Sequence, residues 1–194
     1  IKVNGEIDDN FKLVSKNNIF FFKIYPKNTD KEFVKFQIDI LHSLKKNKKT
    51  SNNIATLNGN IIGSFLDHDN NLRFFRMNSW IEGRLWSKVN PINKSLRFEL
   101  GEISANILKE LKKVKKEYFR ENFEWDLQNF LWTEKYIKEL DISKKNVVKK
   151  LISNFKKQEE KYKQLRKSII HNDINDNNII VSDDLKESSI NGII

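Results

Sequence analysis

The run SIIHNDINDNNIIV, residues 168–181, gathers His171, Asp173 and Asn178 into one polar segment bounded by β-branched apolar residues. Asp173 follows His171 by two positions and precedes Asn178 by five. The flanking apolar runs are expected to be the buried anchors of an exposed loop. On such a loop the Asp carboxylate can orient and deprotonate a hydroxyl, and the Asn side-chain oxygen is a hard, neutral ligand for Mg²⁺ on nucleotide phosphates. Together they suit phosphoryl transfer, with His171 buttressing the loop through hydrogen bonds. The same residues also suit a plain Asn/Asp-rich turn. A calcium loop is disfavoured, because the spacing lacks the mid-loop Gly and the closing bidentate Glu.

A second chemical residue lies near the start. In IFFFKIYP, residues 19–26, strand alternation puts Phe20, Phe22 and Ile24 on one face and Phe21, Lys23 and Tyr25 on the other. Lys23 thus shares its face with two aromatics, which a merely solvated face would not show. A Lys so placed can hold nucleotide phosphates as a point charge. An edge-strand Lys guarding against aggregation is the competing reading.

These residues need elements to position them. NFKLVS and IFFFKIYP, separated by KNN, predict a hairpin whose second strand Pro26 closes. Thr29 or Asp30 can cap a helix in which Phe33, Phe36, Ile40, Leu41 and Leu44 recur at helical spacing. Strands follow in IATLNGNIIGSF, which carries an Asn-Gly turn, and in NLRFFRMNSWIEG. Beyond Gly83 the pattern turns to long amphipathic helices. One carries Leu96, Leu100, Ile103, Ile107, Leu111 and Val114; another carries Val148, Leu151, Ile152, Phe155, Tyr162 and Leu165. FEWDLQNFLW is expected to bury aromatics between them. The expected fold class is α+β, with a β-rich lobe over residues 1–81, a mainly helical lobe over 82–194, and a ligand cleft between lobes.

Composition narrows the function classes. The 194 residues contain no Cys, which excludes disulfides and thiolate zinc sites. No apolar run approaches the roughly 18 residues of a membrane span, and nothing resembles a signal peptide. A cytoplasmic protein with no membrane partner is expected. Lys and Arg number 36 against 26 Asp and Glu, a net charge of +10. The basic residues are scattered over helical surfaces with Glu among them, and no basic stripe is interleaved with stacking aromatics. A Lys-rich surface, with no specific nucleic-acid partner, is therefore expected. The first residue is Ile rather than Met, and the chain is expected to be a fragment.

HNDINDNNII followed by INGII resembles the aminoglycoside phosphotransferase and choline kinase group of the protein-kinase-like fold, whose catalytic loop reads H-x-D-x-x-x-x-N. Further pieces occur in matching order: GEIDDNFKL is similar to a nucleotide-loop segment, FFFKIYP to the lysine strand, RMNSWIEG to the hinge, LGEISANI to the first helix of the large lobe, and FEWDL to a Trp-Asp-Leu element. The HND triplet and the SExDxNF-like start resemble the hydroxylysine-kinase branch. The resemblance implies a two-lobed kinase-like fold with its second lobe truncated. It implies ATP or GTP and Mg²⁺ as cofactors, Asp173 as base, His171 as its loop support and Asn178 as metal ligand. Lys23 would hold phosphates, and the backbone around Asn78, Trp80 and Ile81 would bind the base. The family's helix Glu that pairs with the strand Lys would fall at Gln37, with Glu32 as the other candidate.

The implied acceptor is a small amine-bearing molecule: an amino alcohol, a hydroxy-amino acid such as 5-hydroxylysine, or an aminoglycoside. Asp176 is a candidate for recognising the amine. Residues 192–194, Gly-Ile-Ile, resemble the approach to the family's second metal-binding Asp, and the 194 residues alone are expected to be nearly inactive. The rival expectation is a kinase-like domain of a longer protein that binds nucleotide or ligand without chemistry.

Overall fold

The short polar spacer KNN does make a hairpin. In the computed structural model, which describes residues 1–3, 5, 7–47, 49–115, 118 and 123–194, β2 (Asp9–Val14) pairs antiparallel with β3 (Ile19–Ile24). The Ser15 N–H and hydroxyl both donate to the Asn18 carbonyl, at 2.9 and 3.2 Å, and close the turn. The chain forms two compact units, Ile1–Glu117 with Ile169–Ile194, and Tyr118–Ser168.

In the first unit, β1 (Lys2–Val3), β2, β3, β4 (Asn53–Ile54), β5 (Gly63–Leu66) and β6 (Leu72–Ser79) build one antiparallel sheet. Its order is β1-β2-β3-β6-β4, with β5 also on β6. The β5–β6 turn is held by Asp67, whose Oδ1 accepts from the N–H of Asp69 (3.0 Å) and of Asn71 (2.9 Å). The Asn-Gly pair lies in a loop tied by Thr56 N–H to Asn60 O at 2.8 Å, where Gly59 takes φ +79°. That loop leads from β4 to β5, two strands that each pair with β6 rather than with one another.

Helix α1 (Lys31–Ser43) starts at Asp30, whose side chain accepts from the Glu32 N–H at 2.9 Å, as the capping expectation required. Val34 is fully buried against Tyr25 and Phe74, with Ile38 and Ile62 beside them. So α1 covers the sheet face that carries Tyr25.

Helix α2 (Lys94–Leu111) is capped by the Asn93 side chain on the Leu96 N–H at 2.8 Å. Its expected face is buried at Leu96, Ile103, Ile107 and Leu111, whereas Val114 follows the helix end. The face packs on Leu44, Trp86, Val89 and a second sheet of β7 (Arg84–Leu85), β8 (Ile179–Val181) and β9 (Ile190–Ile193). Each fully buried Ile or Leu of this core contributes about 1.5–3 kcal/mol relative to exposure.

In the second unit a 3-10 helix, Leu127–Glu139, and α3 (Ile142–Lys163) meet at Phe130 and Phe155, whose rings stand edge-on with centroids 5.3 Å apart. The burial expected for FEWDLQNFLW is not found. Trp125 is 69% exposed, no residue of the 3-10 helix is buried, and α3 buries Ile152 alone. Two elements share a single seam, so apolar residues off it stay open to solvent. Among the described residues, no helix is long and apolar enough to cross a membrane. Glu6, in the GEIDDNFKL segment, lies outside the described residues.

Candidate active site

The polar loop hangs from one firm anchor. Ile179, Ile180 and Val181 are buried in β8, and Ile174 packs on the same core from within the loop. On the other side the anchor is weaker than expected, since Ile169 reaches the core but Ile170 is 54% exposed. Asn172 takes φ +64°, a left-handed turn that Asn tolerates better than most residues.

That turn brings His171, Asp173 and Asn178 together. The Asp173 carboxylate accepts from Asn175 Nδ2 at 2.6 Å and from Asn178 Nδ2 at 2.7 Å. Asn178 Nδ2 also donates to the Asp173 carbonyl at 2.8 Å. These bonds use the nitrogen of the Asn178 amide, so Oδ1 is the atom suited to a hard cation. His171 Nδ1 accepts from the Asp173 N–H at 3.3 Å, which puts the imidazole proton on Nε2. Burial pulls the His171 pKa below its ordinary value, opposed by the Asp173 charge. A neutral, accepting imidazole fits loop support better than proton transfer.

The loop is tied to its surroundings at three further points. The Asp176 carbonyl accepts from Ser87 N–H at 3.0 Å, Asn177 Oδ1 accepts from the Ser87 hydroxyl at 3.0 Å, and the Asn178 carbonyl accepts from Ile194 N–H at 2.9 Å. The Asp176 side chain is exposed.

Lys23 lies on β3 with its side chain 15% exposed and its ammonium 5.6 Å from the centre of the Tyr25 ring. Its carboxylate partner is Asp8. Burial lowers the Lys23 pKa, Asp8 opposes that, and Arg76 adds to it. The two helix residues expected to orient Lys23 are engaged elsewhere. Gln37 Oε1 accepts the Tyr25 hydroxyl at 2.7 Å, and Glu32 pairs with Lys35. The family resemblance pointed to α1, and the local helix periodicity set only which of its residues would fall at that position. The Asp8 contact depends on strand register, and its signal in the sequence was the acidic pair Asp8-Asp9 where β2 begins.

The segment expected to bind the base runs off the end of β6. Asn78 is buried, and its Nδ2 donates to Asn53 Oδ1 at 3.0 Å. The Ser79 N–H is taken by Asn52 O at 2.9 Å and the Trp80 N–H by Ile19 O at 3.3 Å. Lys12 stands 4.7 Å from the centre of a Trp80 ring. Ile81 packs on Gly192, where an added Cβ would lie 2.6 Å from Ile81 Cδ1.

The model of the phosphotransferase enzyme family matches residues 3–194. The chain belongs to the phosphotransferase enzyme family. Within it, the chain is 33% identical over 120 residues to hydroxylysine kinase of Mus musculus, a match covering 59% of this chain and 31% of the mouse protein. The match thus spans about a third of that relative's length. Among solved structures, a microcompartment-associated aminopropanol kinase superposes with a TM-score of 0.77 at 13% identity, covering 100% of this chain and 62% of that one. An amicoumacin kinase in complex with AMP-PNP and Ca²⁺ superposes with a TM-score of 0.67 at 13% identity, covering 98% and 57%. The fold is that of these kinases, and the family resemblance read from the HNDINDNN loop is borne out.

Proposed function

We propose that the protein is a small-molecule kinase, transferring the γ-phosphoryl group of ATP or GTP to a hydroxyl of an amine-bearing metabolite. The observation that carries this reading is the Asp173–Asn178 pairing, through bonds of 2.7 and 2.8 Å, in a family of phosphotransferases. Asp173 takes the proton of the acceptor hydroxyl. The hydroxyl oxygen bonds to the γ-phosphorus as the bond to the bridging oxygen breaks, and a nucleoside diphosphate leaves. Asn178 would hold Mg²⁺ through Oδ1, and the metal would supply charge neutralisation on the phosphate oxygens. Lys23 binds phosphate oxygens, the backbone from Asn78 to Ile81 takes the base, and His171 keeps the loop in shape. The lobes divide near residue 81. The hydroxylysine-kinase match favours 5-hydroxylysine or a similar amino alcohol as acceptor, with Asp176 recognising the amine.

A second reading, a kinase-like domain that binds nucleotide or ligand without chemistry, draws on one observation: α1 offers the neutral Gln37, not a Glu, and gives it to Tyr25. Nucleoside-diphosphate release separates the two. The full-length protein is assayed with Mg²⁺, ATP or GTP, and 5-hydroxylysine, ethanolamine, choline, homoserine or an aminoglycoside. One acceptor is expected to turn over, and Asp173→Asn to reduce its kcat by about 100-fold or more while nucleotide still raises the melting temperature. Undiminished turnover by Asp173→Asn removes the base assignment. Nucleotide stabilisation without turnover of any acceptor favours the binding domain.

A further inference from the structure

Lys23 sits in a row that crosses three strands, with Asn10 of β2 opposite it on one side and Arg76 of β6 on the other. Its direct cross-strand neighbours are therefore a neutral amide and a second cation. Among the described residues, the buried Nε and Nη1 of Arg76 have no hydrogen-bond partner, while its guanidinium also bonds the Tyr25 side chain. From the covering helix, Gln37 is neutral and bonded to Tyr25, and Glu32 is on Lys35. The adjacent acids before and at the start of β2 divide their work. Asp9 pairs with Lys2 at 3.0 Å and Arg73 at 3.1 Å, whereas Asp8 turns to Lys23 and is itself only 24% exposed.

We propose that Asp8 is a positioning residue for the phosphate-binding Lys23, supplying from the loop before β2 the carboxylate that α1 does not. This rests on the kinase reading above. Two cations facing one another in a partly buried site repel, and desolvation further disfavours the charged amine. Asp8 offsets both effects and fixes the direction of the side chain. An ammonium has three donors. Asp8 takes one of them, so the others can meet phosphate oxygens. The placement follows from the ladder: once Asn10 faces Lys23, the residue two positions earlier leaves the strand beside the Lys23 ammonium. In this arrangement the nucleotide-side loop and the Lys form one unit, and α1 meets the strand end at Tyr25, through the neutral Tyr25–Gln37 bond and the packing of Val34.

The test reads Lys23 directly. Acylation of Lys23 by an amine-directed reagent is followed across pH by peptide mass spectrometry in the full-length wild type, Asp8→Asn, Asp8→Glu and Arg76→Gln. The melting-temperature rise given by Mg²⁺-ATP is measured alongside. Asp8→Asn is expected to move the acylation curve to lower pH, to shrink the ATP-induced rise, and to lower kcat/KM by roughly tenfold or more. Asp8→Glu is expected to restore much of each, and Arg76→Gln to move the curve to higher pH. If Asp8→Asn does not fold, the other two variants carry the test, and an unmoved curve in Arg76→Gln overturns the proposal. An Asp8→Asn curve superimposed on the wild type also overturns it. So does a larger ATP-induced rise in Asp8→Asn, which would make Asp8 a competitor for the phosphate position. A wild type that neither transfers phosphate nor responds to nucleotide, while its Lys23 curve still follows Asp8, sinks the kinase reading and supports the pairing.

Discussion

Asp173 holds two side-chain amides on its carboxylate, and both donors, Asn175 and Asn178, come from the five residues that follow it. The richness in Asn that also suits an ordinary turn is here what aims the acid. His171 belongs to the same small network and carries a prediction about pH. Its folded-state pKa lies below the ordinary 6.5 because burial penalises the imidazolium. The unfolded chain therefore binds a proton near pH 6.5 while the folded chain does not. The stabilisation that follows is complete above that pH and is lost as the pH falls below it toward the folded-state pKa. Denaturant unfolding from pH 7.5 to 5 is expected to show this acid-side loss in the wild type and a flatter profile in His171→Gln. An identical slope in the variant would mean that His171 does not contribute to it.

At the scale of elements, apolar periodicity draws the faces of α2 and α3 in similar terms, yet the two helices are buried to very different degrees. Ile107 is fully buried between α2 and the second sheet, whereas Leu151 on α3 is 54% exposed. Ile107→Ala is expected to cost about 2–5 kcal/mol by chemical denaturation, and Leu151→Ala about 0.5 kcal/mol or less. Equal costs would contradict this packing. Gly83 makes the comparable point for backbone. It follows β6, has φ +132°, and an added Cβ would lie 2.2 Å from the Val181 carbonyl. Gly83→Ala is expected to destabilise by about 1–3 kcal/mol through strain where the chain passes into the three-stranded sheet. The Gly was visible in the sequence; its need to approach β8 so closely was not.

For the molecule as a whole, the charge of +10 invites a nucleic-acid reading that the site does not need. Scattered Lys residues predict weak binding to any polyanion, lost between about 50 and 200 mM salt and indifferent to base sequence. Sequence-selective binding that survives 200 mM salt in a filter or anisotropy assay would contradict this. The order of the longer strands and of α1, α2 and α3, the β2–β3 hairpin, a cap at Thr29 or Asp30, the α2 face and the family itself were legible in the sequence. Each depends on local periodicity, on a turn or cap of a few residues, or on a motif contained in one loop. The Asp173–Asn178 pair was legible for the same reason, since both partners sit within one turn of chain. What only the tertiary structure decided is which distant groups meet: Asp8 rather than Gln37 or Glu32 on Lys23, Arg76 opposite that Lys, Ile81 against Gly192, and open solvent around Trp125. Those outcomes depend on strand register and on how many elements cover a face. A one-residue change of register would send Lys23 to the other side of the sheet without altering a single letter of the sequence.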